Sequence, residues 1–288
     1  MPYKETKIYS DGYHYIAIPK TGKTGKKGVV KRYEGRNKAF DTIYESFVGI
    51  PKKEKIKKVK ETLSEVIPDK ESLNQFVKDN MERRTKNRIV RMTRLMRKVH
   101  LQEWNYFCTF TYDDKLHTEE SFKKALSNCL RHLAARKGWK YIGVWERSPE
   151  KKRLHFHGIF YIPEMIGTLE EHRDFDTKNK KMQTTYQNSH FLKHFGRNDF
   201  KDLEMVDDVE KAVRYLIKYI EKSNERLIIS RGLPTYFVSD IMDDDVICRM
   251  GMYDQKLLLF DNFDCWLDGE YMGKVSKETI QKLKKVNT

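Results

Sequence analysis

Apolar and polar residues follow different periods along this chain, and the period in each segment predicts its secondary structure. Residues 13–18 are rich in tyrosine and isoleucine and predict a strand. A loop rich in glycine and lysine follows this strand. Residues 51–80 are charged and have a helical pattern that Pro68 interrupts, because proline disfavours helix at the residue before it. We therefore interpret residues 1–80 as an N-terminal accessory segment.

Residues 81–99 predict an amphipathic helix, since apolar residues recur at helical spacing between Ile89 and Val99. The remaining faces carry eight basic residues and a single acid, Glu82. A solvated helix face usually mixes both signs, so this excess indicates contacts with the phosphates of a nucleic acid. The alternative is an exposed basic helix without a ligand. The candidate phosphate contacts are Arg84, Arg88, Arg91, Arg94 and Lys98.

Aromatic and β-branched residues predict three strands in the middle of the chain. The first, residues 104–112, is expected to be an inner strand, and a helix over residues 118–137 follows it with Thr118 as its N-cap. The second strand, residues 141–147, leads through a turn to the third, residues 154–160. The short turn predicts that these two strands pair as an antiparallel hairpin.

The third strand carries two histidines one residue apart, His155 and His157. Residues i and i+2 of a strand point to the same face, so the two imidazoles lie side by side and can hold one metal ion. If Arg147 pairs with Leu154 in the hairpin, Glu146 lies across from His155 and adds a carboxylate ligand. The alternatives are two half-buried histidines in local hydrogen bonds and a glutamate that pairs with a nearby arginine.

Residues 163–200 form a charged insertion that contains three further histidines. Residues 168–171 predict the beginning of a helix, and residues 174–188 are a polar tract. We interpret these histidines as surface or core groups rather than as metal ligands.

Residues 206–222 predict a second amphipathic helix, with acids at its start and bases toward its end, as the helix dipole favours. Tyr215 and Tyr219, at positions i and i+4, lie beside its apolar stripe together with Lys211, Lys218 and Lys222. A tyrosine has an ordinary pKa of about 10, and neighbouring lysines favour its phenolate, which is a nucleophile. Either tyrosine is a candidate for the first attack. The alternative is a pair of tyrosines at the rim of a core.

The overall composition restricts the partners and the compartment. The 288 residues contain 57 Lys+Arg against 42 Asp+Glu, a formal net charge of +15, which favours a polyanionic partner such as nucleic acid. The four cysteines form no Cys-x-x-Cys pair, which argues against a zinc ribbon and fits a reducing compartment. No apolar run is long enough to span a membrane, and the N-terminus does not resemble a signal peptide, so we expect a cytoplasmic protein.

Three of these segments, in this order, resemble the motifs of the HUH endonucleases, specifically the rolling-circle replication initiators of single-stranded-DNA phages and plasmids. Residues 107–112 are similar to the first motif, a strand that helps to place DNA and that here contains Thr109 and Thr111. His155-Phe156-His157 is similar to the metal-binding motif. The helix segment that contains Tyr215, Lys218, Tyr219 and Lys222 is similar to the nucleophile helix of the two-tyrosine branch.

The resemblance covers roughly residues 81–230 and implies a fold, a reaction and a cofactor. The fold is α+β, with an antiparallel sheet of about five strands flanked by helices in an RRM-like or ferredoxin-like arrangement. The reaction is the nicking and rejoining of single-stranded DNA at a replication origin, through a 5′-phosphotyrosine and a free 3′-hydroxyl. Mg²⁺ or Mn²⁺ is the implied cofactor, and a helicase and a DNA polymerase of a bacterial host are the implied partners.

Other interpretations of the same residues remain open. A relaxase or transposase would use the same chemistry. A non-catalytic basic DNA-binding protein would bind in a salt-sensitive way that depends on neither metal nor tyrosine. A two-histidine, one-carboxylate iron oxygenase has the same ligand types but leaves the tyrosine helix unexplained. We expect residues 81–230 to form the endonuclease domain and residues 231–288 to be an extension that packs on it.

Overall fold

A computed structural model describes residues 3–19, 34–47, 49–148, 152–176, 180–203, 206–223, 227–242, 258–260 and 262–287. The chain divides into two compact units. One consists of Met1–Pro19 and Met96–Thr288, and the other is Lys20–Leu95. The sequence instead predicts domain limits at residues 80 and 230. That division into three parts stays a prediction.

The secondary structure of the described residues mixes strands and helices. The strands are β1 (Tyr3–Ser10), β2 (Tyr15–Ile18), β3 (Tyr106–Thr111), β4 (Lys140–Arg147), β5 (Leu154–Tyr161), β6 (Leu169–Asp176), β7 (Lys181–Asn188), β8 (Asn198–Asp202), β9 (Ile228–Ile229), β10 (Pro234–Ile241), β11 (Leu258–Phe260), β12 (Asp264–Leu267), β13 (Glu270–Lys274) and β14 (Lys284–Asn287). The helices are α1 (Glu34–Ser46), α2 (Lys52–Ser64), α3 (Lys70–His100), α4 (Glu119–Arg136), α5 (Ser189–His194), α6 (Val206–Ser223) and α7 (Lys277–Lys282). None of the helices in the described part of the chain has the length and apolar character needed to cross a bilayer.

A five-stranded antiparallel sheet in the larger unit contains the predicted strands, in the order β8-β3-β5-β4-β9. β3 lies between β8 and β5, so it is the inner strand that its aromatic and β-branched residues predict. In the β4–β5 hairpin Arg147 pairs with Leu154 and Glu146 pairs with His155. This is the register assumed in the sequence analysis. The α+β class with an antiparallel sheet of five strands flanked by helices is thus confirmed.

One face of this sheet forms a core with α4 and α5. Phe110, Phe156 and Phe200 point to it from three strands, and each is 1% exposed. The predicted start of α4 is confirmed, since the Thr118 hydroxyl accepts a hydrogen bond from the backbone amide of Ser121. The buried residues of α4 recur every four positions and so share one face: Phe122, Leu126 and Leu130.

Two glycines that meet across β4 and β5 leave room for an aromatic ring in this core. Gly143 pairs with Gly158. A β-carbon at Gly143 would overlap the ring of Phe156, and one at Gly158 would lie 2.9 Å from the carbonyl oxygen of Ile142. Contacts this short force neighbouring atoms to move, so both positions require glycine. Because Phe156 separates the two histidines in sequence, its packing keeps their side chains on the opposite face.

The Gly143→Ala substitution should therefore destabilise the protein. The added methyl group displaces the Phe156 ring, and overpacking of this kind costs about 1–3 kcal/mol in the free energy of unfolding. Chemical denaturation followed by circular dichroism measures the change. Gly35→Ala on α1 is the matched control, because no atom lies within 4 Å of its β-carbon position. Equal stabilities of the two variants would contradict this account of the packing.

A second antiparallel sheet in the same unit joins the two ends of the chain. Its strand order is β11-β2-β1-β10-β12-β13, and β14 also pairs with β10. Ile8, Phe237 and Phe263 are among its buried residues. The sequence predicts β2 but not the pairing of β1 with β10, because most of the chain separates these strands and no local pattern specifies which distant strands pair.

The smaller unit, Lys20–Leu95, contains α1, α2 and the first part of α3. Its core is a cluster of apolar residues from these three helices that includes Phe40, Val59 and Val77. α2 ends at Ser64 and α3 begins at Lys70, which confirms the interruption predicted at Pro68.

The prediction of a helix beginning at residues 168–171 is wrong. These residues lead into β6, which pairs with β7 along its whole length, from Leu169 opposite Asn188 to Asp176 opposite Lys181. In this two-stranded ribbon every residue has a cross-strand partner. The free energy gained from these pairs outweighs the local preference of Glu170 and Glu171 for a helix.

Candidate active site

The sheet face opposite the aromatic core carries the polar residues that the sequence analysis selected. Thr109 on β3 pairs with His157 on β5, and Thr111 pairs with His155. On the other side of β5, Glu146 of β4 pairs with His155. Cross-strand partners share a face of the sheet. Three adjacent strands therefore bring two threonines, two histidines and a glutamate together.

Glu146 contacts the second histidine, although its register partner is the first. Its Oε2 lies 3.0 Å from Nε2 of His157, and the side chains of the glutamate and the histidine are only 9% and 11% exposed. Water screens a contact at this depth only weakly, so the attraction between the two side chains is stronger than between the same groups at the surface. The predicted position of Glu146 beside the histidine pair is confirmed, and its role as a metal ligand stays a prediction.

Two threonine hydroxyls hold the other nitrogen of each imidazole. Oγ1 of Thr109 lies 3.0 Å from Nδ1 of His157, and Oγ1 of Thr111 lies 2.8 Å from Nδ1 of His155. With Nδ1 engaged, Nε2 is the nitrogen of each ring that can serve as a metal ligand. The resemblance assigned this strand to DNA placement, which stays a prediction for Thr109 and Thr111. Their contacts with the histidines are an additional finding.

His155 is uncharged at neutral pH. Its pKa is lowered to about 4, chiefly because burial disfavours the charged ring and secondly because His157 lies beside it. A neutral imidazole is the form that binds a metal ion, so no proton has to be removed from His155 before it can act as a ligand.

The donor set fits a divalent cation in its chemistry. Two imidazole nitrogens and one carboxylate can bind such an ion and leave coordination positions open for water or a substrate oxygen. Within the described ranges, however, no three His, Cys, Asp or Glu side chains are gathered closely enough to form a metal centre as they stand. A divalent cation held by these residues would take the place of the contact between Glu146 and His157.

Tyr215 of α6 lies against this histidine. Its ring is 5.5 Å from the ring of His157 and 5.6 Å from that of Phe107, and both contacts are edge to face. Tyr215 is 36% exposed, whereas the neighbouring apolar stripe of α6, which includes Val213 and Leu216, is buried. The prediction that the tyrosine lies beside the apolar stripe is confirmed, and the structure adds that it points to the histidine pair.

The remaining residues of the tyrosine motif are described less fully. The backbone of α6 places Tyr219 one helical turn beyond Tyr215. The side chains of Lys218, Tyr219 and Lys222 lie outside the described residues. Lys211 is exposed, and its Nζ lies 3.4 Å from Oδ1 of Asp208 on the same helix. A surface pair of this kind leaves Lys211 available for a phosphate.

The basic residues predicted to contact phosphates differ in their surroundings. Arg84 packs within the smaller unit, where it forms ion pairs with Asp41 and Glu45 and lies over the ring of Tyr44. Lys98 belongs to the larger unit and is half-buried. Of these five basic residues, only Arg88, Arg91 and Arg94 have exposed side chains. Phosphate binding stays a prediction for all five, and for Arg84 it requires that the ion pairs be exchanged.

A polar cavity of about 190 Å³ beside the two threonines was missed by the sequence analysis. It is lined by Thr109 and Thr111 of β3, by Arg197 and Asp199 from the β8 segment, and by residues of β7. Burial raises the pKa of the Asp199 carboxyl. Residues 198–202 contain a single apolar residue, Phe200, so no alternation of polar and apolar positions indicated a strand there.

Comparison with known proteins adds one match. Residues 105–224 match the family model of the replication-associated protein ORF2/G2P. The matched segment, less than half of the chain, contains β3, β5 and α6, and therefore the threonines, the histidine pair and both tyrosines. No curated protein and no solved structure matches the chain significantly. The family match supports a role in DNA replication and hence an interaction with DNA.

Proposed function

We propose that this protein nicks and rejoins single-stranded DNA at a replication origin, as the two-tyrosine HUH endonucleases do, to start and end rolling-circle replication. The observation that carries the proposal is the position of Tyr215, whose ring lies 5.5 Å from that of His157. A tyrosine next to a histidine pair and a buried carboxylate is the arrangement that tyrosine transesterification needs. The match to a replication-associated family over the same residues supports it independently.

The tyrosine is the nucleophile of the proposed reaction. Its phenolic oxygen attacks the phosphorus of a phosphodiester, a bond from that oxygen to phosphorus forms, and the bond from phosphorus to the 3′-oxygen breaks. The products are a 5′-phosphotyrosine and a free 3′-hydroxyl. The phenol releases its proton to water, lysines of the same helix are proposed to stabilise the phenolate, and the 3′-oxygen takes up a proton from water as it leaves. In the joining step a 3′-hydroxyl attacks the phosphotyrosine and releases the phenol.

His155, His157 and Glu146 are the residues that would hold Mg²⁺ or Mn²⁺. A bound divalent cation supplies Lewis-acid polarisation of a phosphate oxygen. The chain's own residues do the rest: the threonine hydroxyls orient both imidazoles, and the edge-to-face contact with His157 positions Tyr215. Tyr219, one turn further along α6, is proposed to act in the alternate cleavage step.

The proposed partners follow from the products of the reaction. A free 3′-hydroxyl is the substrate of a DNA polymerase. The sequence holds no Gly-x-x-x-x-Gly-Lys-Ser/Thr motif, so we propose that a separate helicase of the host cell separates the strands. The reaction would then take place in the cytoplasm of a bacterial host.

Mass spectrometry of a protein–oligonucleotide adduct tests the proposal. The full chain is incubated with Mn²⁺ and single-stranded oligonucleotides that span the replication origin of the replicon encoding it. We expect a mass increase equal to the 3′ fragment of the cut oligonucleotide, attached at Tyr215 or Tyr219, and its loss when EDTA is added beforehand. If no adduct forms on any single-stranded substrate, the proposal is wrong, and salt-sensitive binding alone would favour a non-catalytic DNA-binding protein.

Replacing Arg88, Arg91 and Arg94 with glutamine should weaken binding of single-stranded DNA at low salt. If each arginine contacts one phosphate, the slope of log K against log salt concentration should fall in magnitude by about 2. Fluorescence anisotropy over a salt series measures both quantities. The control replaces three exposed lysines of α2 with glutamine, so that the same charge is lost: Lys52, Lys53 and Lys57. Equal slopes for the two variants would contradict a specific contribution of the three arginines.

A further inference from the structure

We propose that the polar cavity beside β3 binds one unpaired base of the DNA, a guanine, close to the bond that is cut. This inference rests on the proposed function and deepens it, because it assigns a site for base recognition to the same face of the sheet. The cavity has a volume of about 190 Å³. Sites that enclose a whole drug-sized ligand measure about 300–1,000 Å³. The smaller volume suits a single flat base rather than a complete nucleotide.

The cavity lies directly beside the histidine pair. Thr109 and Thr111, which line one of its walls, are the residues whose hydroxyls contact the imidazoles of His157 and His155. β8 forms the neighbouring strand, and its register places Asp199 opposite Thr109. Neighbouring strands are about 4.8 Å apart, so β8 lies about 10 Å from β5. A base in the cavity therefore belongs to a nucleotide close to a phosphate held at the histidine pair.

The walls of the cavity carry a cation and an anion. Arg197 and Asp199, two positions apart in sequence, both line it. The carboxylate repels a phosphate group, and the guanidinium repels a metal ion. A base is uncharged and has hydrogen-bond donors and acceptors along one edge, so it is the part of DNA that can satisfy both groups together.

Hydrogen bonds from the β6–β7 ribbon fix the positions of both charged groups. Nη2 of Arg197 donates to Oδ2 of Asp174, at 2.7 Å, and the hydroxyl of Thr185 donates to the same oxygen, at 3.0 Å. A guanidinium has five N–H donors, so this contact orients Arg197 and leaves donors for a ligand. Oδ1 of Asp199 accepts a hydrogen bond from the backbone amide of Tyr186, at 3.0 Å. Oδ2 is then the oxygen that can accept from a ligand.

The place where the two walls meet is buried and well bonded. Asn198 is 2% exposed, and its amide group makes three hydrogen bonds to backbone atoms. One comes from the N–H of Asn188, and the others go to the carbonyl groups of Asn188 and Gly196. These bonds join the start of β8 to the end of β7. The cavity is therefore formed before a ligand binds, which lowers the entropic cost of binding.

Guanine is the base whose edge matches the two groups best. Its O6 and N7 accept hydrogen bonds from an arginine, which is the commonest specific contact between proteins and bases. Beside O6, its N1–H and N2–H groups are two donors for a carboxylate. Cytosine and adenine offer fewer matched groups on one edge, and thymine has a single N–H. Arg197 and Asp199 together therefore favour guanine.

Binding of oligonucleotides that differ in one base tests the preference. Fluorescence anisotropy measures the affinity of the full chain, in EDTA, for a short oligothymidine and for the same strand with one central guanine, adenine or cytosine. We expect the strand with guanine to bind about tenfold more tightly than oligothymidine. Hypoxanthine, which lacks the 2-amino group, or 7-deazaguanine, which lacks N7, should each remove part of this gain. Equal affinities for the four strands, or preference for another base, would overturn the inference.

The Asp199→Asn substitution tests the carboxylate. Asparagine keeps the size of the side chain and an oxygen for the Tyr186 amide, but its NH₂ group replaces the acceptor in the cavity. The gain from guanine should be lost. Asp202→Asn is the matched control, because Asp202 is exposed on the same strand and lies outside the cavity lining. A folded Asp199→Asn protein that keeps the preference would refute the inference, and the two base analogues test it without any substitution in the protein.

These measurements need neither metal nor cleavage, so they separate the inference from the proposed function. An adduct formed by a protein without a base preference would leave the function in place and remove the inference. A preference for guanine in a protein that forms no adduct would keep the base site and remove the function.

Discussion

Replacing Tyr215 and Tyr219 together with phenylalanine should abolish the covalent adduct with single-stranded DNA, a loss of about a thousandfold or more. The substitutions remove the oxygen that bonds to phosphorus and keep both rings, so the edge-to-face contacts of residue 215 with His157 and Phe107 remain possible. Each single variant should still form an adduct through the other tyrosine. Denaturing electrophoresis with a labelled oligonucleotide and Mn²⁺ measures the yield.

The control for this experiment is Tyr13→Phe, since Tyr13 is 71% exposed in the segment between β1 and β2. It should form the adduct at the normal rate. The double variant should also bind single-stranded DNA as the unaltered protein does, because bond formation rather than binding is removed. An adduct of normal yield in the double variant would mean that another residue is the nucleophile.

The His157→Ala substitution should reduce the rate of adduct formation about a hundredfold or more. Lewis-acid stabilisation is worth several kcal/mol, and each 1.4 kcal/mol is a factor of about ten in rate. The same change removes the ring against which Tyr215 packs, so it also loosens the nucleophile. Single-turnover kinetics at saturating oligonucleotide measures the rate. Affinity for the oligonucleotide without metal should change little.

A stability control must accompany this variant. Without His157 the nearly buried carboxylate of Glu146 loses its 3.0 Å partner, and an unsatisfied buried group costs about 1–3 kcal/mol. Thermal unfolding shows whether the variant is folded at the assay temperature, and His157→Gln, which keeps a hydrogen-bonding group, provides a second test. His132→Ala is the matched control, because His132 is exposed on α4. A folded His157 variant that forms the adduct at the normal rate, with Mn²⁺ still required, would place the metal elsewhere.

Part of the candidate site follows from short-range patterns. The spacing of His155 and His157 puts both rings on one strand face whatever surrounds the strand. The short turn after Arg147 brings β4 back beside β5, and this places Glu146 next to the pair in the predicted register. In the same way, the period of α6 separates Tyr215 from the buried stripe. These predictions hold because hairpins and helices are governed by contacts between residues near in sequence.

Other features of the site depend on residues that are distant in sequence. The pairing of β3 with β5 brings the Thr109 hydroxyl to Nδ1 of His157, and nothing in either segment alone specifies that contact. The side chain of Glu146 extends past its register partner, His155, to His157. Strand register fixes the backbone position, but the side-chain rotamer and its burial determine the position of the carboxylate. The polar cavity beside β3 needs β7 and β8, which the sequence analysis did not recognise as strands.

Helices α2, α3 and α4, the inner strands, the paired histidines and the tyrosine helix α6 follow from the sequence alone, since each depends on a local period or a short turn. Only the tertiary structure decided that Tyr215 lies against His157 and that each histidine has a threonine partner. It also decided that β1 pairs with β10 near the other end of the chain. Each of these contacts joins segments that are distant in sequence. Packing of the whole unit brings such segments together, and the residues of one segment alone do not specify that packing.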